Sequence, residues 1–182
     1  MKKPNQCNTV PGFVTSPAWQ KKAYKELCKQ YFADDAMPDA DAGEITFGQQ
    51  NTPNAHAFAS CSFRREVTRG LGGVLQRKPM GPNEFLVKGF IIGRISINFC
   101  PLYNVAMTEK DAYETLLHEM IHVWQYLNES STEWAANPHG RGFLIKSRQA
   151  RADGWDIGIR GIGSTRPQPL SARERLAKKY GH

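Results

Sequence analysis

The first regular pattern of apolar and polar positions in the chain predicts a helix that begins after residue 15. Ser16 and Pro17 are the residue types that favour a helix N-cap and the first helical position. Apolar residues then recur at helical spacing as far as Phe32, and lysines lie towards the opposite face. The acidic stretch 34–39 contains a proline and ends this helix. Residues 1–15 are polar and indicate an irregular lead-in.

The middle of the chain has the pattern of a small sheet. Short strands are expected at 44–47, 57–64 and 72–76, and residues 78–83 have the composition of a turn. Residues 85–90 and 91–99 are rich in β-branched and aromatic side chains, and apolar and polar positions alternate from Ile95 to Phe99. These features predict an antiparallel or mixed sheet.

The longest helix is predicted to begin at Thr108 and to continue to about Leu127. Thr108 and Asp111 have the spacing of a capping box, with Asp in the position usually held by Glu. A polar loop at 128–138 and a further helix at about 142–152 follow, and Ser171 can cap a last short basic helix. Helices that flank a small sheet indicate an α+β fold.

The longest predicted helix carries the run His118-Glu119-Met120-Ile121-His122. Two histidines four residues apart lie on one helix face, one turn apart, so both imidazoles can reach one zinc ion. Glu119 is turned by about 100° from His118, which suits it to act as the base for a metal-activated water. This pattern of residue types predicts a zinc metallopeptidase.

A catalytic zinc usually has three protein ligands and a water. The next histidine along the chain, His139, follows one polar loop and lies between the turn-forming residues Pro138 and Gly140. We therefore predict His139 as the third ligand. Glu129 and Glu133 are alternatives, because a carboxylate can also serve in this position.

The run from Leu116 to His122, followed by His139-Gly140-Arg141-Gly142-Phe143, resembles the SprT-like domain, which includes the Spartan proteases. The likeness covers roughly residues 16–152, and it implies a minimal zincin-like metallopeptidase. It also implies three zinc ligands, His118, His122 and His139, with Glu119 as the catalytic base. Spartan-type members act on proteins bound or crosslinked to DNA. Many members carry a C-terminal cysteine-rich zinc ribbon, and this chain has no cysteine after Cys100.

An oxyanion donor is also expected in a peptidase of this type. The sequence offers Tyr103, Tyr126, Arg141 and Arg148 without ranking them.

The net charge of +7 is concentrated in the last part of the chain. Residues 141–182 hold ten Lys and Arg against three Asp and Glu, whereas the charges of residues 1–140 cancel. Such a segment favours a polyanion, most simply nucleic acid, through contacts with the phosphate backbone. The alternative is a solvated tail that keeps the protein soluble. The predicted nucleic-acid contacts are Lys146, Arg148, Arg151, Arg173, Arg175, Lys178 and Lys179. The predicted organisation is a lead-in at 1–15, a peptidase domain at 16–153 and a basic C-terminal extension at 154–182.

Other features narrow the class of protein. Cys7, Cys28, Cys61 and Cys100 are too widely spaced for a zinc ribbon or a redox pair. No apolar run is long enough for a transmembrane helix or a secretory signal, so we expect a cytoplasmic protein without a membrane partner. Two alternatives to a DNA-associated peptidase stay open. One is a zinc peptidase with a dedicated protein substrate, and the other is a non-enzymatic nucleic-acid-binding protein with structural zinc.

Overall fold

A computed structural model of the chain describes residues 3–50, 59–63, 66–67, 90–91, 95–128 and 137–158. Within these ranges the fold is α+β, with three helices and a small mixed sheet, as the sequence pattern predicts. None of the helices in these ranges is long and apolar enough to cross a membrane. All four cysteines are free thiols.

The three helices begin close to where the sequence predicts. They are α1 (Pro17–Tyr31), α2 (Glu109–Asn128) and α3 (Arg141–Ala152). The Ser16 side chain accepts a hydrogen bond from the backbone N–H of Trp19 at 3.2 Å. At the start of α2, the Asp111 carboxylate accepts from the Thr108 N–H at 2.8 Å, and the Thr108 hydroxyl accepts from the Asp111 N–H at 3.1 Å. These reciprocal bonds confirm the capping box.

In the part of the chain that the structure describes, five short strands form two sheets. They are β1 (Ile45–Gln49), β2 (Ala59–Phe63), β3 (Glu66–Val67), β4 (Phe90–Ile91) and β5 (Ile95–Phe99). The larger sheet has the order β1-β5-β2, with β5 parallel to β1 and antiparallel to β2, and β3 pairs with β4 in an antiparallel ladder. The strand predicted at 72–76, the turn at 78–83 and the helix after Ser171 lie outside the described residues.

The core lies between the larger sheet and the helices. Ile95, Ile97 and Phe99 are buried and alternate with the less buried residues of β5, which confirms the predicted alternation. Trp19 of α1 packs edge-to-face against Phe99 at 6.1 Å and against Tyr113 of α2 at 5.2 Å between ring centroids. One aromatic side chain thereby links α1 to strand β5 and to helix α2.

A tight turn after α3 returns the chain to α2. The Trp155 N–H bonds to the Ala150 carbonyl, and the Gly154 N–H bonds to the Arg151 carbonyl, both at 3.0 Å. These bonds make a Schellman motif, which needs the left-handed conformation that Gly154 adopts at φ 93°. Beyond the turn, Trp155 and Ile157 are buried, and Trp155 stacks on Tyr113 at 5.7 Å.

We call residues 155–158 the returning segment. Its Asp156 N–H donates to the Glu114 carboxylate of α2 at 2.7 Å, which places the segment along that helix. The domain boundary at 153 stays a prediction, but side chains on its C-terminal side pack in the core.

Candidate metal centre and catalytic base

The three predicted histidine ligands converge on one point. The Nε2 atom of His118 lies 3.1 Å from that of His122 and 3.2 Å from that of His139. One ligand atom from each of the three residues lies within 4.8 Å of the others, which is a grouping that could hold a metal ion. Helix α2 supplies two of these imidazoles, and the turn before α3 supplies the third.

A tight turn aims His139 at α2. The Gly140 N–H bonds back to the Asn137 carbonyl at 2.9 Å, and α3 begins at the next residue. A Cβ atom at position 140 would lie only 2.9 Å from the Asn137 carbonyl oxygen, so the turn requires glycine. This turn allows a residue 17 positions beyond His122 to face the motif helix.

The ring of Phe143 supports all three imidazoles. Its centroid lies 4.9 Å from the rings of His118 and His139 and 5.1 Å from that of His122. The Phe143 side chain is fully buried, so it forms an apolar floor under the cluster. The aromatic residue of the His139-to-Phe143 motif therefore has a structural role beside the ligands.

The rings of His118 and His122 each form a hydrogen bond on the side that faces away from the histidine cluster. His122 Nδ1 lies 2.9 Å from the Gln125 amide oxygen, which can only accept a hydrogen bond. The His118 ring makes a hydrogen bond to the backbone of Gly158, and this contact acts against the lowering of the His118 pKa, as a carbonyl oxygen that accepts from the ring N–H would. Each ring therefore carries its proton on the nitrogen that faces its acceptor.

These hydrogen bonds leave the lone pairs of both Nε2 atoms directed at each other. Lone pairs 3.1 Å apart repel unless a cation lies between them. Zinc bonds of about 2.05 Å at tetrahedral angles separate imidazole nitrogens by about 3.3 Å. The donor set, its spacing and its hydrogen bonds therefore fit a zinc ion.

Burial also keeps these rings neutral, as a metal ligand must be. Desolvation lowers the pKa of His118 to about 3, with further lowering by His122 and His139. Desolvation lowers the pKa of His122 to about 4, and it lowers that of His139 as well. Protons therefore compete weakly for the ligand nitrogens at neutral pH.

Glu119 lies beside the cluster on α2 and is almost completely buried, with 8% of its surface exposed. Its Oε2 atom accepts a hydrogen bond from the backbone N–H of Cys61 in β2 at 2.8 Å. Burial raises the pKa of Glu119 to about 7, and hydrogen bonds from Cys61 act against that shift. The sheet edge thus holds the carboxylate that the sequence predicts as the catalytic base.

The remaining predicted site residues have varied surroundings. The rival ligands Glu129 and Glu133 lie outside the described residues. Among the predicted oxyanion donors, Tyr103 is buried, Tyr126 is half-buried, and Arg141 and Arg148 are exposed. The assignment of an oxyanion donor stays a prediction.

The predicted nucleic-acid contacts on α3 differ from one another. The Lys146 ammonium pairs with the Asp35 carboxylate and lies 4.8 Å from the centroid of the Phe32 ring. The Arg151 guanidinium donates to the Ile157 carbonyl at 2.6 Å, and Arg148 is exposed. Arg173, Arg175, Lys178 and Lys179 lie outside the described residues. DNA contact by any of them stays a prediction.

Sequence reasoning missed three groups that contact the site. Gln125 lies three residues after His122 on the same helix face, so its spacing alone could have marked it. The Cys61 amide and the Gly158 carbonyl are backbone groups, and no residue type identifies such contacts in a sequence. Only the packing of β2 and the returning segment against α2 reveals them.

Comparison with known proteins agrees with this geometry. The family model of the SprT-like family matches residues 23–160, which is most of the chain. No curated protein and no solved structure matches it significantly. The matched range includes all three histidines, Glu119 and the returning segment.

Proposed function

Because the chain belongs to the SprT-like family, we propose that it is a zinc-dependent endopeptidase with a zincin-like site, acting on proteins associated with DNA. The observation that carries this proposal is the convergence of three imidazole Nε2 atoms beside a buried glutamate. A closed structural zinc site needs four protein ligands. Three nitrogen ligands with a carboxylate next to them are typical of a hydrolytic site.

His118, His122 and His139 would hold the metal. Bound zinc supplies Lewis acidity, which lowers the pKa of water and polarises a carbonyl group. The protein holds the imidazoles of His118 and His122 in the ligand tautomer, and the buried Phe143 ring packs against all three imidazoles.

Glu119 acts as the general base and then as the general acid. Its carboxylate takes a proton from the attacking water while the water oxygen bonds to the scissile carbonyl carbon. When the carbon–nitrogen bond breaks, Glu119 returns that proton to the leaving amine. The hydrogen bond from the Cys61 amide keeps the carboxylate in one position during both transfers.

The proposed DNA association is supported by charge. The whole positive excess of the chain lies in residues 141–182, immediately after the third ligand. This charge favours binding of a phosphate backbone by the segment that follows the third ligand in the sequence, and such binding would recruit the peptidase to proteins on DNA. A peptidase with one dedicated protein substrate is the competing proposal.

The test is cleavage of a basic DNA-binding protein by the zinc-loaded chain, with and without DNA, beside Glu119→Gln. We expect cleavage and self-cleavage that require both Glu119 and DNA. Cleavage that requires Glu119 but ignores DNA would favour the dedicated-substrate peptidase. Full proteolysis by Glu119→Gln would overturn the assignment of the base.

A further inference from the structure

Gln125 is a buried polar residue whose amide lies at the metal site. Only 1% of its surface is exposed, and its neighbours Val123 and Leu127 on α2 are buried apolar residues. Burying an amide in such a place is unfavourable unless it finds hydrogen-bond partners, so an apolar residue would be the simpler choice for packing alone. A glutamine at this position therefore points to a role for its amide.

The partner of that amide oxygen is His122 Nδ1, at 2.9 Å. A neutral imidazole has one N–H, and a free ring can carry it on either nitrogen. If the proton were on Nε2, that nitrogen could not bind a metal, and Nδ1 would present a lone pair to the lone pairs of the Gln125 oxygen. The observed contact favours the ring with Nδ1–H and with Nε2 available towards His118.

We infer that Gln125 is a positioning residue, whose amide oxygen holds His122 in the tautomer and orientation that bind the metal through Nε2. This inference rests on the proposed metal site, and it adds a residue that the motif does not contain. Hydrogen-bonded partners of this kind orient metal ligands and raise their basicity, and their loss usually weakens metal affinity about 10–100-fold.

His118 provides an internal comparison. Its ring is held by the Gly158 backbone carbonyl, which a side-chain substitution cannot remove. His122 is instead held by a side chain, so a substitution of Gln125 can test the effect of that hydrogen bond on the ligand.

The test uses the full chain and three variants. Gln125→Met keeps the length and approximate volume of the side chain but removes the acceptor, whereas Gln125→Glu keeps an acceptor. Gln20→Met is the matched control, because Gln20 is a fully buried glutamine that bonds to the Thr15 and Gly48 carbonyls. Zinc affinity is measured by competition with a chromophoric chelator, and the His122 tautomer by nitrogen-15 NMR of the metal-free protein.

We expect metal-free wild type to carry the His122 proton on Nδ1. Gln125→Met should shift the proton towards Nε2 and weaken zinc binding about 10–100-fold. Gln125→Glu should retain the Nδ1–H tautomer and wild-type affinity or better, and Gln20→Met should change neither readout. A role in packing alone would leave the tautomer unchanged in Gln125→Met.

Two results would overturn this inference and leave the proposed function intact. One is unchanged zinc affinity in a folded Gln125→Met variant, and the other is an Nε2–H tautomer of His122 in the metal-free wild type. The His122 tautomer is measured in the wild-type protein, so it tests the inference even if Gln125→Met does not fold. If wild type itself fails to bind zinc through His118, His122 and His139, the proposed function fails first, and the inference fails with it.

Discussion

The Glu119 carboxylate on α2 accepts the backbone N–H of Cys61 in β2, with 2.8 Å between Oε2 and N. Fifty-eight residues separate the two along the chain. Strand β2 lies at an edge of the sheet, so an N–H there can bond to a group outside the sheet. The position of the proposed base is thus coupled to the packing of the motif helix on this edge.

This contact predicts that the two simplest substitutions of Glu119 differ in stability. Glu119→Gln keeps an oxygen that can accept from the Cys61 N–H, whereas Glu119→Ala leaves that partly buried donor without its acceptor. We expect Glu119→Ala to lower the free energy of unfolding by about 1–3 kcal/mol relative to Glu119→Gln. Urea unfolding of the two metal-free variants measures this difference, and equal stabilities would show that the bond contributes nothing.

Zinc should stabilise the folded chain through the three-histidine cluster. A ligand that binds only the folded state at about 1,000 times its dissociation constant adds about 4 kcal/mol. We therefore expect a chelator to lower the thermal midpoint of the wild-type protein. His139→Gln removes the proposed ligand that lies outside α2 and should abolish most of that shift. A zinc-dependent midpoint that persists in His139→Gln would assign the third ligand to another residue, such as Glu129 or Glu133.

The burial of the returning segment limits how much of the basic extension can be removed without loss of stability. Trp155 is 2% exposed and stacks on Tyr113, and Ile157 is 1% exposed. We expect Trp155→Ala to cost about 3–5 kcal/mol in the free energy of unfolding, as for other buried aromatic residues. Chemical denaturation of the full chain checks this value, and a cost below about 1 kcal/mol would contradict the packing.

Truncation gives a second measurement of the same segment. A chain that ends at Asp153 loses Trp155, Ile157 and the Gly158 carbonyl that holds His118. We expect this chain to lose zinc affinity, and a chain that ends at Gly158 to keep it. A DNA-binding comparison should therefore use the longer truncation. Equal zinc affinities of the two truncated chains would remove the returning segment from the site.

Alanine substitutions of Lys146 and Arg148 should distinguish a structural role of these side chains from a role in DNA binding. Lys146 has 18% of its side chain exposed and pairs with Asp35, which also accepts from the Trp124 indole N–H at 2.6 Å. Removing one partner of a largely buried ion pair is destabilising, so we expect Lys146→Ala to cost about 1–3 kcal/mol. Arg148→Ala should change stability by less than about 0.5 kcal/mol, because Arg148 is exposed.

Binding of the two variants to immobilised DNA at several salt concentrations then tests the DNA-binding role. If α3 contacts phosphate groups, Arg148→Ala should weaken retention and reduce its salt dependence. Unchanged retention would exclude Arg148 as a contact. A loss in Lys146→Ala is interpretable only after its stability has been measured, since unfolding would produce the same loss.

The metal-free protein should become less stable as the pH falls below about 6.5. Burial lowers the pKa of His118 to about 3 and that of His122 to about 4 in the folded state. An unfolded chain binds protons at both rings below about pH 6.5, whereas the folded chain does not. This contribution to stability is present above about pH 6.5 and is lost progressively as the pH falls to about 4 for His122 and about 3 for His118.

Glu119 has the opposite effect in the same range. Burial raises its folded-state pKa to about 7, so between about pH 7 and 4.5 the folded chain holds a proton that the unfolded chain releases. His118 and His122, with His139 acting in the same direction, outweigh the one carboxylate and give a net loss of stability on acidification. We expect Glu119→Gln to make that loss steeper, which thermal unfolding of metal-free samples from pH 7.5 to 4.5 can measure. A shallower dependence in Glu119→Gln would contradict the raised pKa.

The sequence by itself determined the elements whose signals are local. Ser16 at the start of α1, the Thr108–Asp111 capping box and the alternation from Ile95 to Phe99 each act within a few residues, so their outcome could be predicted. The pair His118 and His122 is local in the same sense, because helical geometry alone places both rings on one face.

Tertiary structure determined which groups from distant parts of the chain complete the site. The turn at Gly140 directs His139 to α2, packing of β2 places the Cys61 amide on Glu119, and the Schellman turn at Gly154 returns the Gly158 carbonyl to His118. Two of these three contacts use backbone groups, which every residue possesses. Their positions depend on how the elements pack rather than on residue type, and so only the folded chain reveals them.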